Sequence, residues 1–212
     1  MDIFNQIAPG WYNFRHWSIF RSELELLAQR WQSGRLLNLG CAHGPDFLPF
    51  TESFELYGVD FSREMHRFAR KYSRKFNFAV SLSLADINYL PYRAPTFDWA
   101  ISVATYHHLK REALPAALKE LRRVLKPGGE ALITVWNRWQ PRFWFSRRDV
   151  AVPWRTRGKT LHRDYYLLSY PELTRLVKKA GFTVLKSFPE SSYRFPIKFF
   201  SRNICLLVRK EA

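Results

Sequence analysis

The sequence predicts an α/β fold: a doubly wound, seven-stranded, mostly parallel sheet with an antiparallel edge strand and a basic, aromatic insertion. Three observations carry that expectation. Apolar strand-like runs alternate with amphipathic helical runs along most of the chain. The run Phe97–Ala104 ("FDWAISVA") is almost wholly apolar, as a central strand covered on both faces requires. A glycine turn, "GCAHG" at Gly40–Gly44, follows the first strand directly. A chain of 212 residues, 47% hydrophobic, suits one such domain. We therefore expect a single domain over 1–212, with a lid at 1–33 and an insertion at 137–168.

Arg21–Trp31 places Leu24, Leu27 and Trp31 on one face and reads as a helix. Arg35–Leu39 is the first strand. Leu56–Asp60 ("LYGVD") is the second, and Ser62 can cap a helix running from Arg63 to about Arg74. Phe78–Leu84 is the third strand and Phe97–Ala104 the fourth. Arg111–Leu125 reads as a helix stopped by Pro127, Gly128 and Gly129. Ala131–Trp136 is the fifth strand. Pro171–Ala180 is a helix ended by Gly181. Thr183–Phe188 and Ile204–Val208 close the chain as an antiparallel pair.

The charge narrows the function. Thirty-four Lys and Arg against 18 Asp and Glu leave +16, far beyond what solubility needs. Such a balance implies a polyanionic partner, nucleic acid first. Aromatics make up 17% of the chain, with eight tryptophans, more than one core absorbs, so some should meet a ligand or a partner protein. The insertion concentrates both features. Arg138, Arg142, Arg147, Arg148, Arg155, Arg157, Lys159 and Arg163 face only Asp149 and Asp164. Trp139, Phe143, Trp144, Phe145, Trp154, Tyr165 and Tyr166 are interleaved, a mixture suited to phosphates and unstacked bases. No apolar run reaches the roughly 18 uncharged residues of a membrane span, and the N-terminus lacks a signal-peptide pattern. The expected location is cytoplasmic. Cys41 and Cys205 show neither metal-ligand spacing nor a disulfide framework, so no metal is expected.

The glycine loop lets backbone approach a ligand. Asp60 ends the second strand 20 residues after Gly40, where a carboxylate can accept the hydroxyls of an adenosine ribose. Asp86, in "LADI", adds an acid on the adenine side. The loop is not G-x-G-x-x-G, which counts against a nicotinamide dinucleotide. Asn38, Gly40, Cys41, Ala42, Gly44, Asp60, Phe61, Asp86, Ile87 and Val103 form the candidate cofactor set, and Tyr12 joins them from the lid. Cys41 reads as a small loop residue rather than a nucleophile.

These motifs resemble those of class I S-adenosylmethionine-dependent methyltransferases. "LLNLGCAHG" is similar to the family's L-D-x-G-C-G-x-G loop, "GVDFS" to its ribose acid, "LADI" to its adenine-side acid and "LRRVLKPGGEALI" to its post-core signature. A narrower resemblance, to the tRNA wobble-uridine carboxymethyl methyltransferases, spans nearly the whole chain. It rests on "IFNQIAPGWYNFRHW", "AISVATYHHL", "ALITVWN", "DVAVPWR", "HRDYYLLSYPEL" and "NICLLV". "DVAVPWR" weighs most, because it lies outside the shared cofactor fold. The resemblance implies a Rossmann-like fold, S-adenosylmethionine as cofactor, and methyl esterification of 5-carboxymethyluridine in tRNA, with no DNA substrate. It also implies a small zinc-containing activator protein that covers an apolar surface.

Four positions depart from the family pattern. Asn38 replaces Asp, which leaves an acceptor without its charge, so Asn38→Asp is expected to tighten cofactor binding or leave it unchanged. Ala42 replaces Gly, which requires φ below zero. Asp164 and Leu167 stand where the family has Arg and His, with His162 and Arg163 adjacent as substitutes. A carboxylate substrate is already ionised near pH 7 and needs no general base. It needs orientation, for which Arg15, His107, His108 and Arg163 are the candidates. An amine or phenol would instead call on His107 or His108 as base. Arg15 can also close with Tyr12 over the cofactor's carboxylate. The rival readings are a small-molecule methyltransferase and an RNA-binding protein with an inactive cofactor loop.

Overall fold

Apolar strands buried on both faces need neighbours on both sides, and the chain supplies them in a seven-stranded sheet of order β3-β2-β1-β4-β5-β9-β8. In the computed structural model, residues 3–156, 158–195 and 197–211 are described. β1 (Gly34–Leu39), β2 (Phe54–Asp60), β3 (Ser81–Leu84), β4 (Phe97–Val103) and β5 (Leu125–Trp136) run parallel. β9 (Asn203–Lys210) runs antiparallel between β5 and the edge strand β8 (Phe182–Pro189). The burial patterns explain that order. β9 is buried from Asn203 to Val208, so it takes an interior place, whereas β8 is partly exposed and suits an edge.

Helices cover both faces. α4 (Leu114–Val124) and α5 (Tyr170–Lys179) pack on one side, with Leu118, Leu121, Leu173 and Val177 in the core. α2 (Arg21–Trp31) lies on the other with Leu24, Leu27 and Trp31. α3 (Arg63–Lys75) opens at Ser62, whose hydroxyl accepts from the Met65 amide as expected of an N-cap.

The structure differs from the sequence reading in several places: β5 already begins at Leu125, so Lys126–Gly129 lie within a strand, and the antiparallel strand is the interior β9 while the edge strand β8 runs with the parallel set. The third strand starts at Ser81, because Phe78 turns into the core against Phe47 and Tyr72 instead of pairing. The fourth helix begins at Leu114, after a turn whose Ala113 amide bonds Lys110. The lid contains a further helix, α1 (Ile3–Phe14), despite Pro9 and Gly10. It survives because Ile7, Ala8 and Tyr12 pack on Met65, Phe68 and Tyr72 of α3. Asn5 adds a polar tie, its Oδ1 accepting from the Ser62 hydroxyl and the Glu64 amide. The insertion holds a separate antiparallel hairpin of β6 (Asp149–Thr156) and β7 (Lys159–Tyr166). Arg157, counted among its basic residues, lies outside the described residues.

Candidate active site

The carboxyl ends of the parallel strands open onto a cavity of about 500 Å³. This is where ligands bind in doubly wound sheets, and the volume suits a nucleoside-sized molecule. Strand ends form its floor, α1 and the segment after it one wall, and the β6–β7 hairpin another.

The glycine loop is held from below. The Gly40 and Cys41 amides donate to the Val59 carbonyl, at 2.8 and 3.0 Å. Gly40 has φ +68°, and a Cβ there would sit 2.4 Å from the Thr105 side chain, so only glycine fits. Asp60 fixes the loop's upper edge. One carboxylate oxygen accepts from the Ala42 amide and the other from the Ser62 amide, both at 2.9 Å. Ala42 therefore has φ +47°, which corrects the expectation of a negative φ. The Asp60 bond and the turn that joins Gly44 N to Cys41 O hold the residue left-handed, a region open to alanine at a cost.

Two further bonds tie the lid to this floor. His43, buried behind the loop, donates from Nε2 to the Arg15 carbonyl, and the Tyr72 hydroxyl donates to the His16 carbonyl. Burial pushes the His43 pKa down to about 4, so the ring is neutral and Nε2 carries its proton. Asp46, also buried at the cavity wall, is pushed up to about 6 by the same effect, against the pull of Ser18 and Arg15.

The far side of the cavity is aromatic and cationic. Arg163 is 6% exposed, and its guanidinium carbon lies 5.4 Å from the Trp11 ring centroid, 5.3 Å from that of Trp154 and 5.3 Å from that of Tyr165. Its Nε has no hydrogen-bond partner, and no carboxylate pairs with it among the described residues. Arg15 also lines the cavity with an unpartnered Nε. Burial lowers the pKa of both arginines, yet guanidinium remains charged at neutral pH.

The two histidines sit together after β4. His107 Nδ1 accepts from the Trp136 amide at 3.2 Å, which leaves the proton on Nε2. His108 packs edge-on against Phe4 and Tyr165. Burial holds His107 well below the usual histidine pKa and His108 at about 3, with Arg163 adding repulsion to both. Both rings are therefore neutral at pH 7. This excludes them as cations for an anionic substrate and leaves them as neutral donors or wall.

The structure brings eleven sequence-predicted residues to this cavity: Gly40, Ala42, Asp60, Phe61, Asp86, Ile87, Val103, His107, His108, Arg15 and Arg163. It leaves four out. Tyr12 stacks on Phe68 inside the α1–α3 core, so it packs the lid from behind. Asn38 and Cys41 are fully buried beneath the loop, and Gly44 shapes the turn. Burial raises the Cys41 thiol pKa, so it stays protonated and inert. Sequence reasoning missed Trp11 and Asp46 and placed Trp154 only among the insertion's base-stacking aromatics. The "PW" of "DVAVPWR" was the available signal for Trp154; the other two carry none that pattern alone reveals.

Comparison with known proteins agrees with this geometry. A family model described as a methyltransferase domain matches residues 36–129. An Encephalitozoon cuniculi protein that carries the name "Putative methyltransferase" is 31% identical over 86% of this chain and 85% of its own. The Arabidopsis thaliana tRNA (carboxymethyluridine(34)-5-O)-methyltransferase is 34% identical over 89% of this chain, which spans only 44% of that relative's length. Among solved structures, an S-adenosylmethionine-dependent methyltransferase from Clostridium acetobutylicum superposes with TM-score 0.78, both chains wholly covered, at 14% identity. A chain of the "Complex between the Haloferax volcanii Trm112 methyltransferase activator and the putative methyltransferase" gives TM-score 0.68 at 18% identity, covering 100% of this chain and 99% of that one. The chain belongs to the S-adenosylmethionine-dependent methyltransferase family.

Proposed function

We propose that this methyltransferase esterifies a carboxylate carried by tRNA, that of 5-carboxymethyluridine at the wobble position. One observation carries the proposal: the buried Arg163 guanidinium faces the cavity with an aromatic surround and no acid of its own. A cation held in this way is matched by an anionic substrate group, and a planar guanidinium can grip a carboxylate through two parallel N–H bonds. The basic aromatic insertion and the named tRNA methyltransferase relative support RNA as the carrier.

The residues present fit the cofactor. Gly40 offers backbone without a side chain, Asp60 and Asp86 stand at successive strand ends, and Phe61, Ile87 and Leu109 give apolar walls for a purine. Asp86 accepts from Asn88 through Oδ1 only, so Oδ2 is available to a ligand. When bound, S-adenosylmethionine supplies an electrophilic sulfonium methyl. Arg163, helped by Arg15, orients the carboxylate for in-line attack, and orientation of two reactants is worth roughly 7–11 kcal/mol. Neutral His107 and His108 are not needed as bases, because the substrate carries no proton to remove. The transfer would form one carboxylate O–CH3 bond as the sulfonium S–CH3 bond breaks, its electron pair passing to sulfur to leave a neutral thioether, so the product ester carries no charge. The ester then holds less tightly to Arg163, which favours release.

A small zinc-containing activator is the partner we assign. The open β3 edge, with Leu84 and Tyr89 exposed beside it, is the surface suited to it. The decisive experiment transfers labelled methyl groups from S-adenosylmethionine to bulk tRNA, with and without the activator, and digests the product to nucleosides. Label on a uridine that mild alkali releases supports the ester. Alkali-stable label refutes it, and absence of label under both conditions refutes tRNA as substrate.

A further inference from the structure

Beside the active-site cavity lies a second one of about 320 Å³, reached across Arg15, Ile19, Trp136 and Arg142, which line both. Three guanidinium groups converge on it, from Arg15, Arg142 and Arg202, against one carboxylate, Glu190. Glu190 is already occupied: it accepts the Asn203 amide at 2.8 Å and meets Arg202 Nε at 3.4 Å. Arg202 is largely exposed and makes only that contact and one to Ser192 Oγ, also at 3.4 Å. Most of its five N–H donors are unspent. Arg142 lies 5.7 Å from the Trp136 ring centroid and 5.3 Å from that of Phe143, with no acid partner among the described residues. Asn203 is an independent pointer. It is 6% exposed, lines this cavity, and has a buried side-chain oxygen with no partner. Amide oxygen and nitrogen are interchangeable by a flip of the side chain, so Asn203 can present an N–H donor here.

We propose that this side cavity binds the phosphodiester next to the reacting nucleotide. The inference rests on the tRNA reading above and adds a subsite to it. With the modified base at Arg163, the chain's own phosphate would fall between Arg15, Arg142 and Arg202. A phosphodiester suits the place because three convergent cations and an amide side chain line it.

Arg202→Gln tests this, since Arg202 lines only the side cavity. Binding of bulk tRNA is measured against salt, together with S-adenosylmethionine binding. We expect tRNA affinity to fall about five- to tenfold near 0.1 M salt, the log–log salt slope to drop by about one, and cofactor affinity to stay unchanged. Arg202→Lys should restore the slope. Because Arg202→Gln leaves Glu190 without its cation, the double variant Glu190→Gln/Arg202→Gln provides a folded control, with the same loss of slope expected. An unchanged slope in a folded variant overturns the subsite, as does parallel loss of cofactor binding, which would assign the cavity to the cofactor. Salt-insensitive tRNA binding by the unsubstituted protein would instead refute the tRNA reading itself.

Discussion

The residues of the cofactor loop obey local geometry more than family pattern. Ala42 sits at φ +47° because Asp60 holds its amide. Left-handed backbone costs a non-glycine residue roughly 1–2 kcal/mol. Ala42→Gly relieves that cost but loosens the unfolded chain by about 0.4–1 kcal/mol, so stability should stay level or rise by up to about 1.6 kcal/mol. Ala42→Val, β-branched at positive φ, should lose at least about 2 kcal/mol in chemical denaturation and weaken cofactor binding with it. Asn38 presents the opposite case. The family pattern favours Asp, yet the Asn38 side chain is fully buried and both its polar atoms lack partners. An aspartate there would be a buried, unpaired charge, or a protonated acid no better satisfied. Asn38→Asp should therefore cost about 1–3 kcal/mol of folding stability, read by urea titration. Tighter cofactor binding with no loss of stability would show that the cofactor's amino group reaches this site.

At the scale of elements, the β6–β7 hairpin decides which cations enter the cavity. Strand side chains alternate between faces, so on β7 Arg163 and Tyr165 point inward while His162 and Asp164 face solvent. Asp164, a departure from the family pattern, thus lies away from the cavity, and Arg163 supplies the charge. Arg163→Lys keeps the charge but loses the planar fork and the stacking on Trp11 and Trp154. It should lower kcat/KM for tRNA about ten- to a hundredfold and leave S-adenosylmethionine affinity unchanged. Equal activity would remove Arg163 from substrate recognition. The sheet was legible in the sequence because its strands carry the apolar runs and glycine turns that encode it locally. The loop and acids at Gly40, Asp60 and Asp86 were legible for the same reason. α1 was not, because Pro9 and Gly10 oppose a helix and only packing on α3 rescues it. Nor was the hairpin, whose mixed charge and aromatic content masks strand alternation; its inward face became visible only through the pairing of Val152 with Arg163.

For the molecule as a whole, folding buries neutral histidines in a chain that already carries +16. The pKa of His43 falls to about 4, that of His108 to about 3, and that of His107 well below its usual value. Unfolded, each takes up a proton below about pH 6.5; folded, each resists until far lower pH. The unfolded state therefore binds more protons in this window, so stability falls as pH falls. Asp46 acts in the opposite sense. Its folded pKa of about 6, above the ordinary 3.8, lets the native state hold a proton that the unfolded state has lost between those values. Proton uptake by the unfolded state's histidines, to which His66 with its burial-lowered pKa also contributes, therefore outweighs the single Asp46 proton held by the native state. Each proton of net difference contributes about 1.4 kcal/mol per pH unit to the slope. Added positive charge on the unfolding chain pushes the same way, because self-repulsion favours expansion. Melting temperature should therefore drop steeply as pH is lowered from 6.5 to 5. Asp46→Asn removes the opposing proton and should steepen the drop by about 1.4 kcal/mol per pH unit, while raising stability at pH 7. A melting temperature that stays level from pH 6.5 to 5 would mean that the histidines around the cavity are charged, and the neutral wall that lets Arg163 alone recognise the anion would be lost with it.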